Sequence, residues 1–327
     1  MSQPPPAGLP VRAATPPTAA VSLPRRAAAK ADGAPAAGYA ALLGALAIMW
    51  GSSYLFIKIG VATLPPLSLV VLRAAVGLAC LLTMHVLTRV PFPRDRRTHG
   101  HLAVLATVNL VLPFWLISWA EQRIDSGLAG LLQSSGPFFT LLIAAAFIHD
   151  ERITRGRLAG IGLGFAGIVL LSSEDLVDLG NPLGADRLVG ELAVVLGSLC
   201  YAIGNTYARR HLRTTRPLAL ATGQVGWSVV IVAALALVID GGIALPPVPE
   251  AALAIGWLGV VGTGLAYVAF FRLLGGWGPT RASLVSYLLP VVAVVLGVVI
   301  LGERIDPLVA AGAALIVAGV WTVNRRG

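Results

Sequence analysis

The chain has 327 residues, of which 57% are hydrophobic and only 12% are charged, and its formal net charge is +9. Soluble domains contain roughly 45–50% apolar and about 25% charged residues, so this composition excludes an ordinary soluble globular protein. The basic residues lie mainly at the ends of apolar stretches, which indicates membrane topology rather than nucleic-acid binding.

The N-terminal segment, residues 1–37, is rich in Pro and Ala, contains four basic residues and has no apolar periodicity. We predict that it is a disordered basic tail on the cytoplasmic side. The pair Arg25-Arg26 is reminiscent of a twin-arginine export signal. The apolar run that follows is too long for a signal peptide and has no evident cleavage site, so we interpret it as a retained first span.

Ten apolar runs of about 17–23 residues follow in the chain, each close to the length of a helix that crosses a bilayer. Cys80 and Cys200 lie inside such runs, where two isolated thiols predict neither a disulfide framework nor a metal site. We therefore predict an all-α integral membrane protein with ten transmembrane helices. The predicted spans are Gly38–Gly60, Leu67–Leu87, Leu102–Trp119, Gly127–Ile148, Arg157–Ser173, Leu188–Ala208, Pro217–Ile239, Ala251–Phe271, Ala282–Leu301 and Leu308–Val323.

A pattern of proline, charged and small residues occurs once in each half of the chain, with identical spacings from its Glu onward. Its first copy is Gly136-Pro137, Glu151-Arg152-Ile153, Gly160 and Ala166-Gly167. Its second copy is Leu289-Pro290, Glu303-Arg304-Ile305, Gly312 and Ala318-Gly319. Such a repeat predicts two related five-helix units, residues 38–173 and 188–323, joined by an acidic extracytoplasmic linker, residues 174–187. Residues 324–327 form a cytoplasmic C-terminus.

The distribution of Lys and Arg predicts the orientation of the spans. With a cytoplasmic N-terminus, nineteen of the 24 basic residues face the cytoplasm, whereas Arg123, Arg187 and Arg304 face the opposite side. Each unit has an odd number of spans, so the turn at Arg152 lies inside and its counterpart at Arg304 lies outside. The two units are then inverted, an arrangement that in many secondary transporters encloses a substrate site near the membrane midplane.

Pro137 and Pro290 each lie near the middle of a predicted span, at equivalent places in the two halves. A proline inside a helix removes one backbone hydrogen bond and frees the carbonyl four residues earlier, here those of Gln133 and Ser286. In a membrane such a carbonyl needs a partner, so each break should face protein or a wet cavity. The two prolines are interpreted as hinges or cavity-lining breaks, with static kinks as the alternative.

Polar and aromatic side chains recur at helical spacing within several spans and form the predicted substrate-binding set. For the three amides of this set, cavity lining and interhelical hydrogen bonding remain open alternatives, because a buried amide needs a partner in either case. The Ser hydroxyl can instead bond within its own helix. The set comprises Trp50, Ser53, Tyr54, Asn109, Trp115, Gln133, Tyr201, Asn205, Tyr267 and Tyr287.

The basic residues inside the spans are Lys58 and Arg73, both toward the predicted outer ends. Snorkelling of the two cations to the interface is the ordinary interpretation. Alternatively, Arg73 offers a charge to a substrate carboxylate or pairs with Glu191. No Asp or Glu lies in the middle of a span, so a pump driven by a mid-membrane carboxylate is disfavoured. A neutral, zwitterionic or aromatic solute is preferred.

The constellation of motifs resembles the EamA-type branch of the drug/metabolite transporter superfamily over about Gly38 to Val323. The resemblance rests on both copies of the repeat together with Trp50-Gly51-Ser52-Ser53, Arg73, Trp119-Ala120-Glu121-Gln122 and Gly262-Thr263-Gly264-Leu265-Ala266-Tyr267. It implies ten helices in an inverted five-plus-five arrangement, a central cavity, and most often export of amino acids, metabolites or drugs.

We therefore expect a secondary transporter that exports a small organic metabolite across the cytoplasmic membrane by alternating access. Uptake or exchange by the same fold, a passive channel and a membrane scaffold are the alternatives. An intramembrane enzyme is disfavoured because no His is predicted at the depth of Ser52 and Ser53. We expect contacts with membrane lipid, no cofactor, metal or nucleic acid, and either a monomer or a homodimer.

Overall fold

The computed structural model describes residues 36–147, 154–177, 180–277, 284–304 and 306–324, which form helices and turns with no strand in these ranges. The predicted tail up to residue 35, the turn Glu151-Arg152-Ile153 and residues 325–327 lie outside the described residues. The helices are α1 (Ala36–Val61), α2 (Pro66–Thr88), α3 (Arg96–Ala120), α4 (Ser126–Gln133), α5 (Gly136–Phe147), α6 (Arg155–Leu171), α7 (Ser173–Val177), α8 (Pro182–His211), α9 (Pro217–Ile239), α10 (Pro249–Gly256, Trp257–Leu265 and Ala266–Trp277 in succession), α11 (Val285–Leu296, continued by Gly297–Leu301) and α12 (Pro307–Asn324).

Six of these helices, α1, α2, α3, α8, α9 and α10, are long and apolar enough to cross a membrane, and the stretches Val285–Leu301 and Pro307–Thr322 are shorter apolar helices. Their outward faces carry large apolar side chains, such as Val238 at 84% exposure and Val299 at 75%. An apolar exterior of this kind is stable against lipid tails but not against water. All ten predicted runs coincide with helices where the chain is described, and the inverted ten-span topology remains a prediction.

The fourth predicted span is broken rather than kinked. Helix α4 ends at Gln133, and α5 begins at Gly136 immediately before Pro137. The Ser198 hydroxyl of α8 donates a hydrogen bond to the Gln133 carbonyl at 3.3 Å. The carbonyl that the proline was predicted to free is therefore satisfied by a helix of the other half. Pro290, by contrast, lies within the continuous helix α11.

Helix α10 contains a nine-residue π-helical segment, Trp257–Leu265, which includes the first four residues of the motif Gly262-Thr263-Gly264-Leu265-Ala266-Tyr267. The Thr263 hydroxyl donates to the carbonyl of Leu258, five residues earlier, at 2.9 Å. A Cβ atom at Gly262 would lie 2.9 Å from the Ser53 hydroxyl oxygen. The absence of a side chain at Gly262 thus allows α10 to approach α1 closely, and π segments often occur at functional sites.

Helices α6 and α12, the last spans of the two halves, pack backbone to backbone. A Cβ atom at Gly167 would lie 2.8 Å from the Gly312 carbonyl oxygen and 2.9 Å from the Ile316 nitrogen. Small residues at such an interface allow membrane helices to gain close van der Waals contact. Fully buried Phe138 of α5 packs against this pair, because its ring fills the space beside Gly164.

Candidate functional site

A cavity of about 660 Å³ lies between the helices, in the size range of about 300–1,000 Å³ that is typical of small-molecule sites. Helices from both halves contribute to its wall. Nine of the ten residues predicted to bind substrate line it: Trp50, Ser53, Tyr54, Asn109, Gln133, Tyr201, Asn205, Tyr267 and Tyr287. The helical spacing used to select these residues therefore identified a common surface, although their role in binding stays a prediction.

The remaining predicted residues occupy different surroundings. Trp115 is not part of the cavity wall and packs against the cluster that contains Val232 and Ala236 of α9. It faces away from the other members because it lies six residues after Asn109, on the far side of α3. Pro137 lines the cavity, whereas Pro290 lines a small separate cavity beside Val320. The two prolines thus have unequal positions.

Aromatic rings form one wall of the cavity. The ring of Trp50 lies edge-on to Tyr267, with centroids 6.4 Å apart, and contacts Phe270 at 5.4 Å. The Tyr267 hydroxyl accepts a hydrogen bond of 3.1 Å from the side-chain amide of Gln224. Such a wall offers a large apolar surface with fixed geometry for a planar or aliphatic solute.

Arg73 lies in the cavity wall, with only 3% of its surface exposed. Its guanidinium stacks over the ring of Phe114, 4.0 Å from the ring centroid. The expectation of snorkelling to the interface is wrong for this residue, because the side chain is enclosed by protein. No ion pair joins Arg73 to Glu191 in the structure. Of the alternatives considered from the sequence, an interaction with a substrate carboxylate remains a prediction.

Lys58 bonds to the backbone that follows α3, and its snorkelling to the interface stays a prediction. Its ammonium donates to the backbone carbonyls of Glu121 at 2.8 Å and Ile124 at 2.7 Å. These carbonyls follow the C-terminal end of α3, where a cation is favoured by the helix dipole and by unsatisfied acceptors. Lys58 therefore ties α1 to the end of α3, one helical turn beyond Tyr54 in the cavity wall.

The polar groups of the cavity differ in their availability to a ligand. The Ser53 hydroxyl donates to the carbonyl of Met49 in its own helix at 3.2 Å, and the Tyr287 hydroxyl donates to the Val320 carbonyl at 3.0 Å. Asn109 lies in the π segment Thr107–Val111 of α3, with its side-chain oxygen directed at Gly204 of α8. Asn205, by contrast, is exposed in the cavity wall.

Two cavity-lining arginines were missed by the sequence analysis. Arg157 and Arg209 line the cavity but were counted only as basic residues of cytoplasmic loops. A signal existed for Arg209, because it follows Tyr201 and Asn205 at successive intervals of four residues on α8. Residues spaced in this way lie on one helix face. The first turn of α6 brings Arg157 to the same end of the cavity.

On the side of the cavity away from Arg157 and Arg209, the two halves meet at the N-terminus of α4, whose residues Gly130 and Gln133 line the cavity. One carboxylate oxygen of Glu303 accepts hydrogen bonds from the backbone N–H of Ser126 at 2.8 Å and from its hydroxyl at 2.7 Å. The other accepts from the backbone N–H of Gly127 at 2.9 Å. Glu303, which follows α11, therefore caps the N-terminus of α4.

The chain is similar to known membrane transporters. The sequence model of the EamA-like transporter family matches residues 37–173 and 188–325, which are the two halves of the repeat. An uncharacterized inner membrane transporter of Escherichia coli, YedA, is 30% identical over 281 residues, covering 86% of this chain and 88% of its own. A probable amino-acid metabolite efflux pump of Salmonella typhimurium is 28% identical, covering 87% of this chain and 93% of its own.

One further relative is similar in sequence, and one solved structure is similar in fold. A probable terminal-alkyne amino-acid exporter of Streptantibioticus cattleyicolor is 30% identical over 222 residues, covering 64% of this chain and 68% of its own. A crystal structure of a protein superimposes with a TM-score of 0.64 at 21% identity, covering 89% of this chain and 99% of that one. At this identity the structural likeness concerns the fold alone.

Proposed function

Because this chain belongs to the EamA-like transporter family, within the drug/metabolite transporters, we propose that it is a secondary transporter that exports a small organic metabolite by alternating access. It is an integral protein of the inner membrane, and its family indicates a transporter rather than an enzyme. The observation that carries the proposal is a single cavity lined by helices of both halves. Alternating access requires such a site at the interface between two units that can rock against each other.

The ends of the cavity support an inward-facing state under the predicted orientation. Arg157 and Arg209 lie at the end that the charge bias assigns to the cytoplasm, and the cavity extends to them. The opposite end is held together by Glu303 on α4 and by Lys58 on the end of α3. Export would proceed when substrate enters from the cytoplasmic end and the Glu303 contact opens.

Relatives named as a probable amino-acid metabolite efflux pump and a probable terminal-alkyne amino-acid exporter favour an amino-acid metabolite as cargo. The cavity volume accommodates a solute of that size, and its aromatic wall suits an apolar body. The cavity is also lined by Gln133 and Asn205, whose amides can bond a polar head group.

The test is exchange transport by purified protein in liposomes. Liposomes loaded with one unlabelled solute from a panel of amino acids and organic acids are mixed with the same solute in radiolabelled form. A carrier gives saturable uptake that is accelerated by internal solute, whereas a passive channel gives a linear leak without acceleration. Asn205→Ala should raise the half-saturation concentration several-fold. Uptake that never saturates for any solute of the panel would refute the carrier mechanism.

A further inference from the structure

The charged side chains that line the cavity all have the same sign. They are Arg73, Arg157 and Arg209, and no Asp or Glu among the described residues lines it. Fixed charges of one sign inside low-dielectric walls concentrate solutes of the opposite sign. The charged side chains of the cavity wall therefore favour anions over cations.

Arg73 is buried in the cavity wall and forms no ion pair with any of the described residues. Its guanidinium is enclosed, its Nε atom has no hydrogen-bond partner, and no carboxylate of the described chain lies within ion-pair distance of it. A buried charge without a partner is strongly unfavourable, so a bound anion would remove a large part of this cost.

The geometry at Arg73 suits a carboxylate in particular. The flat face of its guanidinium is covered by the ring of Phe114 at 4.0 Å. A stacked guanidinium keeps its N–H donors in the plane of the group, and these match the two oxygens of a carboxylate. The stacking fixes the donors in advance, so that little side-chain entropy is lost when the anion binds.

The remaining arginines lie on the path to this position. Arg157 is in the first turn of α6 and Arg209 is in the last turn of α8, at the end of the cavity away from the contact between Glu303 and α4. Charges at a cavity mouth mainly raise the rate of association, and their effect decreases with ionic strength.

We propose that the cavity selects organic anions, and that a monocarboxylate with an apolar or aromatic body binds through its carboxylate to Arg73. This inference rests on the proposed transport function and names the substrate class of the same site. The body of the solute packs against the aromatic wall formed by Trp50, Tyr267 and Phe270. The proposal departs from the neutral or zwitterionic solute expected from the sequence, because the ammonium group of a zwitterion would face three arginines.

The test compares three probes that share one phenyl ring and differ in charge. Binding of 3-phenylpropanoate, 3-phenylpropanamide and 3-phenylpropylamine to the purified full-length protein is measured by titration calorimetry at neutral pH. The carboxylate should bind at least about tenfold more tightly than the amide or the amine, which corresponds to about 1.4 kcal/mol. Absence of carboxylate binding at millimolar concentration, or tighter binding of the amine, would overturn the proposal.

Substitutions test whether Arg73 causes the preference for the carboxylate. Arg73→Gln should abolish the difference between carboxylate and amide, and Arg73→Lys should retain part of it. Arg123→Gln is the matched control, because Arg123 also stacks on an aromatic ring, Trp119 at 3.6 Å, but is not part of the cavity wall. A carboxylate preference that persists in folded Arg73→Gln contradicts the assignment. Arg157→Gln should slow carboxylate association and weaken its salt dependence.

Three further outcomes distinguish an error in the substrate class from an error in the transport function. If phenyl phosphate binds more tightly than 3-phenylpropanoate, the site is one for phosphorylated anions and the carboxylate assignment is wrong. If solutes exchange saturably across liposomes without any preference for anions, the inference fails while the proposed transport function stands. If the anion preference is found but no exchange occurs, the transport function fails and the binding site stands.

Discussion

At the scale of single residues, Glu303 links the two halves of the molecule. Its carboxylate accepts three hydrogen bonds from Ser126 and Gly127 at the N-terminus of α4. The backbone N–H groups there have no partner within the helix, and the helix dipole favours a negative charge. A single side chain thus satisfies the N–H groups of a helix end and joins the two halves.

Replacement of Glu303 by Gln should weaken the contact between Glu303 and the N-terminus of α4. The change removes the charge and one acceptor, and hydrogen bonds to charged groups contribute about 1.5–3 kcal/mol, so the free energy of unfolding should fall by about that amount. Thermal unfolding of the purified protein measures the loss. Ser126→Ala should cost less in the Glu303→Gln background than in wild type, since the two residues share one contact.

Glu250→Gln is the control for this prediction. Glu250 is an exposed acidic residue in the first turn of α10, where the same change of charge should have an effect within about 0.5 kcal/mol. Equal melting temperatures for the Glu303 and Glu250 variants would show that the cap has no energetic role.

The contacts of single charged residues could not be predicted from the sequence. Lys58 and Arg73 look alike in the sequence, as single cations toward the ends of apolar runs, and one interpretation was applied to both. The structure separates them, because Lys58 meets backbone carbonyls of α3 and Arg73 meets the ring of Phe114. These partners come from other helices, and a sequence pattern along one helix carries no information about them.

At the scale of elements, the break between α4 and α5 is expected to serve transport. Pro137→Ala restores a backbone N–H that can bond to the Gln133 carbonyl and would join the two helices into one. We expect a several-fold lower exchange rate in liposomes with unchanged expression. Pro182→Ala is the matched control, since Pro182 begins α8 and removes no helical hydrogen bond there. Wild-type exchange by Pro137→Ala would exclude a hinge at this break.

The interface between α6 and α12 gives a prediction about stability. Gly167→Ala would place a methyl group 2.8 Å from the Gly312 carbonyl oxygen, where the neighbouring atoms include backbone and cannot rotate away. Overpacking of this kind costs about 1–3 kcal/mol, so the melting temperature should fall. Gly162→Ala on the same helix is the control, because nothing lies within 4 Å of its Cβ position. It should be neutral or slightly stabilising.

The elements themselves were largely predictable, because apolar length and proline position are local properties. The runs Leu67–Leu87 and Pro217–Ile239 fall on α2 and α9 with nearly the predicted bounds. The π segments of α3, α10 and α11 were not predicted. The apolar periodicity of a sequence hardly distinguishes backbone hydrogen bonds between residues four apart, as in an α-helix, from bonds between residues five apart, as in a π-helix. The different surroundings of Pro137 and Pro290 were also not predicted. The repeat suggested equivalent positions for the two prolines, but the two halves of a transporter need not have the same conformation in one state.

At the scale of the whole molecule, the cavity combines side chains that are far apart in the sequence. Trp50 and Tyr267 are in contact across more than 200 residues, and Tyr201 shares the same cavity. Their common position was inferred because each shares a helix face with other polar or aromatic residues. The positive charge of the cavity emerges only from the assembly, since Arg157 and Arg209 come from the ends of different helices.

The inverted orientation of the halves is the property of the whole molecule on which the transport mechanism depends. The basic residues predict that the turn holding Arg304 lies outside the cell and the start of α6 inside. In a background with Cys80→Ala and Cys200→Ala, Arg304→Cys should react with a membrane-impermeant maleimide on intact cells. Arg155→Cys should react only after permeabilisation. Both positions are exposed on the protein, so burial cannot explain a difference between them.

Arg213→Cys, an exposed residue between α8 and α9, should behave like Arg155→Cys, because both loops are predicted to be cytoplasmic. If Arg304→Cys and Arg155→Cys were labelled from the same side, the halves could not be inverted. The contact of Glu303 with α4 could then no longer be assigned to the outer side of the membrane, because the orientation of the two halves would be wrong. A mechanism in which two inverted halves rock around one cavity therefore requires that Arg304→Cys and Arg155→Cys react with the maleimide from opposite faces of the membrane.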